Sequence, residues 1–469
     1  MEKSTAVSKK SLGIFALTMI NFAAIMNLRN LPLLSFYGLG MITFYLIAAL
    51  FFFIPGALIS AELASIFPEE GGLFLWVSHA IGTRTAFLCD WIGFITTVTA
   101  LTTTVVFLVT SMILTISPSL SQNKACVCLA VIGSVWMATF LALKGTKFAS
   151  RVISAASTIG TILPAFFLVT LGICWVCSNC PIEMSLSWHS LLPNFSNFSS
   201  VSFLAGIMFA FAGIEMSAYY VKDVNDPCKT YPRAIFWSTA IILIVSLLGS
   251  LAIAVAIPAN GLRLEVGVMQ AMATMLDSVH AGWLAPLLGF LMLIGGISYV
   301  FAWIAGPARG LYAARHTGFL PPLLQKTDKS GMPIIILYYQ ATMVTVLAIL
   351  FLFFPSISLC FWIINASASI MMLVLYACLF ASGIILRYKM PNANRLYRIP
   401  GGNFGMILLG SAGMLNIIFC IIVSFFIPRE MQHFMSQSAF ALIVFATTFL
   451  LICPPFIFIA MRKPHWVAS

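Results

Sequence analysis

Two ionisable side chains lie inside long apolar stretches of the chain, where a charge is unfavourable. Arg29 follows AAIMNL in the first stretch, and Glu215 follows FAFAGI in the sixth. Insertion scales make an arginine at the centre of a membrane helix about 2.5–3.5 kcal/mol unfavourable, so such residues usually face a cavity or a partner. The pair predicts a hydrated site in which Arg29 meets Glu215 or an anionic solute. A static Arg29–Glu215 pair and an Arg29 that reaches the membrane interface stay open as alternatives.

The composition indicates that these stretches cross a membrane. Of the 469 residues, 61% are hydrophobic and 8% are charged, and the mean hydropathy is +1.04. Soluble domains carry about 25% charged residues, so a water-soluble protein is excluded. Windows of about 20 apolar residues predict twelve transmembrane helices. These spans are 12–37, 40–66, 87–116, 125–142, 152–177, 200–221, 234–257, 283–314, 334–353, 357–386, 404–427 and 438–461.

The basic residues predict the orientation. The segments on the N-terminal side of the membrane hold 20 lysines and arginines, against 3 in the opposite loops. Positive charge accumulates on the cytoplasmic side, so we expect both termini in the cytoplasm. The net charge of +11 is then a topology signal, and it does not indicate nucleic-acid binding.

The first and sixth spans share an unusual pattern. Each combines a charge near mid-depth with a polar or glycine-containing interruption, and they are five spans apart. Transporters built from two inverted repeats have broken helices at corresponding positions, where substrates bind exposed backbone and helix ends. The sequence therefore predicts a transporter with its site at these two interruptions.

Other polar and aromatic residues in the spans have simpler explanations. Glu62 and Asp90 lie near span ends, where reaching the interface or capping a helix accounts for them. Tyr299 and Trp303 follow Gly295 and Gly296 in the eighth span, and aromatic rings beside a cavity can cover a substrate. Most Trp residues in spans pack against other helices or face lipid, so packing or lipid contact is the simpler explanation at this point.

Metal or enzyme chemistry has little support. Cys174, Cys177 and Cys180 form a cluster, but a zinc site needs a fourth ligand at suitable spacing, and only His189 is near. The six histidines lie near loops or span ends without a catalytic motif. We expect no metal, no cofactor and no enzymatic activity.

Five motifs in order carry a family resemblance along residues 12–461. The chain resembles the amino acid–polyamine–organocation superfamily, and within it the bacterial glutamate/γ-aminobutyrate antiporter family. The motifs are FIPGALISAELASIFPEEGGLFLWVSHAIG at 53–82, GIEMSAYYVKDVNDPCKTYPRAI at 213–235, VGVMQ at 266–270, WIAGPARGLYAA with GFLPP at 303–322, and RIPGG at 398–402.

The resemblance implies an all-α membrane fold of the leucine-transporter type. Ten helices would form a 5+5 inverted repeat with helices 1 and 6 broken, followed by two peripheral helices. The first repeat would span 12–177, the second 200–386 and the peripheral pair 404–461, with short cytoplasmic tails at 1–11 and 462–469.

The resemblance also implies a substrate site. The first break falls on about 25–30, a range that includes Asn27 and Arg29. The other implied site residues are an aromatic gate at Phe209, a break at Ala212, Gly213 and Ile214, the glutamate Glu215, and Trp303 on the eighth helix. We also expect Tyr299 to belong to this site.

Three departures from the family pattern affect specificity and gating. The first break contains no glycine, so Asn27 or Arg29 would replace backbone amides in holding a carboxylate. Tyr299 stands where related exchangers carry an acidic residue, which leaves a change of specificity open. The chain ends after the twelfth span, so we expect no C-terminal tail that plugs the cytoplasmic path.

We therefore expect an amino acid antiporter that works by alternating access in a bacterial inner membrane. A proton- or sodium-coupled symporter, a uniporter or polyamine carrier, and a non-transporting amino acid sensor remain alternatives. The expected partners are small amino acid substrates and the lipid bilayer, with no nucleic acid, and a homo-oligomer is left open.

Overall fold

The computed structural model describes residues 13–67, 72–143, 160, 162–192, 198–213, 224, 226–328, 332–463 and 466. Within these residues the chain is built from helices, which we number in chain order. They are α1 (Ile14–Ile25), α2 (Leu31–Ser35), α3 (Met41–Ala48), α4 (Ile54–Ile66), α5 (Gly72–Ala80), α6 (Thr83–Ile116), α7 (Lys124–Leu143), α8 (Leu163–Cys177), α9 (Leu204–Ala210), α10 (Pro227–Ala256), α11 (Gly267–Ser278), α12 (Ala285–Ala313), α13 (Ile334–Phe353), α14 (Ile357–Lys389), α15 (Gly402–Val423), α16 (Gln437–Ile452) and α17 (Pro454–Ala460).

Long apolar helices dominate this part of the chain. Eight helical stretches of the described residues are long and apolar enough to cross a membrane, and shorter apolar helices accompany them. The eight are Gly38–Ile66, Thr83–Ile116, Lys124–Leu143, Arg233–Ala256, Ile334–Phe353, Ile357–Lys389, Gly402–Val423 and Gln437–Ala460. The described part of this multi-pass membrane protein is thus helical, and the count of twelve spans stays a prediction.

Burial separates a central helix from peripheral ones. In α6, 94% of the most apolar window is buried, against 22% for the stretch Gln437–Ala460. The long helices α12 and α14 both pack along α6. The sequence predicts that the last two spans are peripheral, and their exposed apolar surface is what lipid contact requires.

The first span is interrupted where the resemblance implies. α1 ends at Ile25, and Met26 and Asn27 take extended backbone conformations before a 3₁₀ turn, Leu28–Asn30. The chain then continues as α2. This interruption leaves backbone groups of the first span outside regular α-helical hydrogen bonding.

The sixth span also contains an interruption, because its first helix is short. α9 stops at Ala210, and a turn over 211–213 follows. Gly213 has a φ of +116°, a conformation that residues with a side chain rarely adopt. Residues 214–223, which include Glu215, lie outside the described residues.

Two short helices that the sequence analysis did not predict follow buried carboxylates. α5 comes after α4, which carries Glu62, and α11 comes directly after Glu265. Both carboxylates are 1% exposed. A short helix thus lies between two long helical stretches twice: α5 between Gly38–Ile66 and α6, and α11 between α10 and α12.

One crossing in the membrane region involves direct backbone contact. Gly295 of α12 packs on Gly160, and a Cβ added to either glycine would overlap the backbone of the other. The two segments therefore approach as closely as polypeptide backbones can.

Candidate functional site

Arg29 is buried against α6 rather than extended toward an interface. Its side chain is 3% exposed. The Nη1 group donates a hydrogen bond of 2.9 Å to the carbonyl of Ala100 and a second to the hydroxyl of Thr103. The alternative in which Arg29 reaches the outer interface is therefore wrong, because its charged end is tied to the middle of the most buried helix.

Phe209 lies beside the same guanidinium. The Cζ atom of Arg29 is 5.7 Å from the centroid of the Phe209 ring, within the range of a cation–π interaction. Since Phe209 is in the last turn of α9, this contact joins the interruption of the first span to that of the sixth. Two residues predicted for the site are thus brought together.

Asn27 has a different environment from Arg29. Its Oδ1 atom accepts a hydrogen bond of 3.1 Å from the backbone N–H of Arg29 and so caps the 3₁₀ turn. Asn27 also lines a small, partly open cavity of about 20 Å³ between the interrupted first span, α3, α9 and α10. Ile25, Asn30, Tyr45 and Ser246 are among the other lining residues, and Arg29 is not one of them.

The interruption of the sixth span is held by a residue that the sequence analysis missed. The backbone N–H of Gly213 donates a hydrogen bond of 3.0 Å to the hydroxyl of Tyr376 on α14. The Tyr376 ring stacks on Phe52, with centroids 4.5 Å apart. Ala212 precedes this bond and is half-buried.

The eighth-span residues are described in part. Trp303 is half-buried in α12, and its carbonyl accepts a hydrogen bond of 3.4 Å from the Gln340 side chain. The backbone of Tyr299 lies in the same helix, but its side chain lies outside the described set. Glu215 is also outside it, so the predicted Arg29–Glu215 pairing stays a prediction.

Glu62 belongs to a buried ion-pair network, which corrects its interpretation as an interfacial residue. Its carboxylate binds Arg387 at the end of α14 and lies 3.0 Å from the Nε of Arg395. It also accepts a hydrogen bond of 2.8 Å from the N–H of Ile399. We call Glu62, Arg387 and Arg395 the Glu62 cluster. Hydropathy does not reveal this network, because it reports only local position and more than 320 residues separate the partners.

The Glu62 cluster fixes the loop between α14 and α15. Arg395 donates to the carbonyls of Leu386 and Met390, at the carboxyl end of α14, where positive charge is favourable. The carbonyl of Tyr397 accepts a hydrogen bond of 3.1 Å from Ser65. Burial, together with the charge of Glu62, raises the pKa of Tyr397 to about 12, so its phenol stays protonated.

Glu265 forms a second cluster at the other end of α14. Its carboxylate pairs with Arg263 at 2.8 Å and accepts a hydrogen bond from Ser358, in the first turn of α14. We call these three residues the Glu265 cluster. The hydroxyl of Thr110 on α6 donates to the Glu265 carbonyl at 2.8 Å, so the cluster also fixes the segment that leads into α11.

Sequence comparison decides the class of protein. The family model for amino acid permeases matches residues 12–451. The chain belongs to the amino acid permease family. The family and the relatives below are named as transporters rather than enzymes, as the sequence analysis predicts, and the resemblance to the amino acid–polyamine–organocation superfamily is confirmed.

Relatives of this amino acid permease include transporters with named substrates. The chain is 34% identical over 425 residues to an uncharacterised transporter of Legionella pneumophila, covering 90% of this chain and 91% of that protein. It is 26% identical over 429 residues to a glutamate/γ-aminobutyrate antiporter of Lactococcus lactis, covering 90% and 85%. It is 23% identical over 378 residues to a probable agmatine/putrescine antiporter of Lactococcus lactis, covering 79% and 78%.

Proposed function

We propose that this amino acid permease is an antiporter that exchanges amino acids by alternating access. The observation that carries the proposal is the buried Arg29. It lies at the interruption of the first span and beside Phe209 at the interruption of the sixth. A guanidinium at such a place fits a solute that brings a carboxylate, as every free amino acid does.

The order of elements supports a 5+5 inverted repeat within a twelve-helix fold. An interrupted span precedes two long helical stretches with a short helix between them, first at Gly38–Ile66, α5 and α6, and again at α10, α11 and α12. We assign the repeats to 12–177 and 200–386, and a peripheral helix pair to 404–461. The distribution of 20 basic residues against 3 supports cytoplasmic tails at 1–11 and 462–469 in an inner membrane.

Each site residue has a proposed role. Arg29 attracts the substrate carboxylate, with Asn27 beside it on the exposed backbone of the first interruption. Phe209 closes over the substrate, and the break at Ala212 and Gly213 supplies exposed backbone. Glu215 forms part of the gate of the sixth span together with Phe209. Tyr299 and Trp303 cover the substrate from α12.

Electrostatics favours amino acids over polyamines as substrates. A relative is named as a probable agmatine/putrescine antiporter, and a cationic substrate would suit the carboxylate of Glu215. A buried guanidinium in the same region repels a polycation across a low-dielectric space, however, and attracts a carboxylate. The relative named as a glutamate/γ-aminobutyrate antiporter is consistent with that preference.

Radiolabelled exchange in proteoliposomes tests the proposal. Vesicles would be preloaded with individual amino acids, γ-aminobutyrate or putrescine, or left empty, at several pH values with and without sodium. Uptake of an amino acid only into preloaded vesicles is the expected result. Uptake into empty vesicles under a proton or sodium gradient would instead indicate a symporter, and absence of flux from folded protein would indicate a sensor.

Substitution of Arg29 tests its role within that assay. Arg29→Gln should raise the KM for carboxylate substrates about tenfold or more, because a hydrogen bond to a charged group is worth about 1.5–3 kcal/mol. Arg84→Gln is the matched control, since Arg84 is exposed. Unchanged affinity for every carboxylate substrate, from a variant that elutes as folded protein, would contradict the proposed role.

A further inference from the structure

Thr103 on α6 supplies a side-chain hydroxyl to the guanidinium of Arg29. Its oxygen accepts a hydrogen bond from Nη1 of Arg29. Its own proton is directed to a carbonyl of the same helix, that of Ala100 at 3.1 Å or of Thr99 at 3.2 Å. A hydroxyl has one proton and two acceptor lone pairs, so this arrangement turns an acceptor lone pair toward the guanidinium.

A neighbouring threonine shows what is specific to Thr103. Thr102 is fully buried on the same helix, and its hydroxyl donates 2.9 Å to the carbonyl of Val98, within α6. Thr102 therefore has the same chemistry and burial without the bond to the first span. The two residues form a matched pair for experiment.

The contacts of Arg29 fix the plane of its guanidinium. Ala100 and Thr103 hold one terminal nitrogen, and the Phe209 ring lies beside the group. Arginine recognises a carboxylate through a planar fork of donors, and a fork binds both oxygens only when its plane is aligned with them. Groups held in position before the ligand arrives bind more tightly, because less freedom is lost on binding.

We propose that Thr103 is a positioning residue that presents Arg29 to the substrate carboxylate. This inference rests on the proposed function, in which Arg29 binds that carboxylate. Loss of the hydroxyl leaves the arginine charged and present but without its fixed orientation. The consequence is weaker carboxylate binding with an unchanged rate of the transport cycle at saturating substrate.

Kinetic analysis of four variants tests the inference, with radiolabelled glutamate and γ-aminobutyrate as probes in preloaded proteoliposomes. Thr103→Val and Thr103→Ala should raise the KM about tenfold with kcat unchanged, the size expected for a bond to a charged group. Thr103→Ser keeps the hydroxyl and should behave as the native protein, as should Thr102→Val.

Competition by an analogue that carries a neutral amide in place of the carboxylate separates positioning from a general structural effect. The ratio of the inhibition constants of γ-aminobutyramide and γ-aminobutyrate measures how strongly the site prefers a carboxylate over an amide. That ratio should fall about tenfold in Thr103→Val and stay unchanged in Thr102→Val.

Three other outcomes would contradict either the role of Thr103 or the proposed function. Equal KM values in Thr103→Val and Thr102→Val, with native exchange of carboxylates intact, would overturn the role of Thr103 and leave the proposed function standing. A purely structural role would be indicated if both hydroxyl-free variants fail to fold while Thr103→Ser folds, and this too overturns the inference. No exchange of any carboxylate by the native protein would overturn the proposed function and the inference with it.

Discussion

The Glu62 cluster and the Glu265 cluster hold opposite ends of α14 by different means. In the first, Glu62 and Arg387 are each 1% exposed, and their partnership spans 325 residues of sequence. In the second, Glu265 pairs with Arg263 only two residues away, and the arginine side chain is 24% exposed. One end of the helix thus depends on a fully buried network, and the other on a local pair that has access to solvent.

This difference shows which end is more sensitive to the loss of a carboxylate. A buried guanidinium without its partner keeps the full cost of desolvation. A guanidinium with access to water is partly hydrated, so its partner is less important. α14 also carries Tyr376 between the two clusters, where it binds the interruption of the sixth span. The helix thus links both membrane faces to the proposed site.

The largest effect is expected for Glu62→Gln. The substitution leaves Arg387 and Arg395 buried without a negative charge, and breaking a buried ion pair costs about 3–5 kcal/mol. Thermal unfolding in detergent should show a strongly lowered midpoint. Glu183→Gln is the control, because Glu183 is exposed. A midpoint for Glu62→Gln close to that of the control would show that the network does not stabilise the fold.

A smaller effect is expected for Glu265→Gln. Glutamine still accepts a hydrogen bond from Ser358, and Arg263 gains hydration, so we expect a loss of about 1–2 kcal/mol. The same unfolding measurement, run beside Glu62→Gln, gives the comparison directly. A loss equal to or larger than that of Glu62→Gln would reverse the order that burial predicts.

The smallest effect concerns Glu430, which lies in the turn after α15 on the same membrane side as the Glu265 cluster. Burial raises the pKa of Glu430 above its ordinary value of 4.5, and the charge of Arg429 offsets this in part. The protonated form is therefore favoured by folding, and this contribution is lost as the pH rises through the raised pKa.

Glu430→Gln should therefore raise the unfolding midpoint slightly at neutral pH. The difference in unfolding midpoint between the variant and the native protein should shrink as the pH falls toward 4.5, because the native carboxyl then becomes neutral as well. Unfolding midpoints of both proteins across this pH range provide the measurement. A difference that grows on acidification would mean that ionised Glu430 stabilises the fold.

Local features of the sequence were sufficient to predict several parts of the structure. The apolar stretches match the long helices because a membrane span must satisfy its own backbone hydrogen bonds. The charge in MNLRN marked the interruption of the first span, and Arg29 and Phe209, both predicted for the site, lie in contact. Hydropathy and the position of a charge can both be seen within a short segment of the sequence, which is why these parts could be predicted.

The parts that escaped prediction depend on contacts between distant segments. Thr103 has no distinctive local sequence, and its role depends on the contact with Arg29. Glu62 lies near the end of a span, and its buried partner Arg387 is 325 residues away in the sequence. The helices α5 and α11 were missed because they are too short to give the periodic pattern of a span. A single sequence carries no record of such pairings.

The contact between Gly160 and Gly295 limits how this chain can evolve. Alanine is the smallest replacement that mutation of a glycine codon offers, and at either position its methyl group would occupy space already filled by the other backbone. A second alanine cannot compensate for the first, because it adds another overlap. Each of these two glycine codons is therefore constrained by the other, since an added side chain at either position requires the two backbones to move apart.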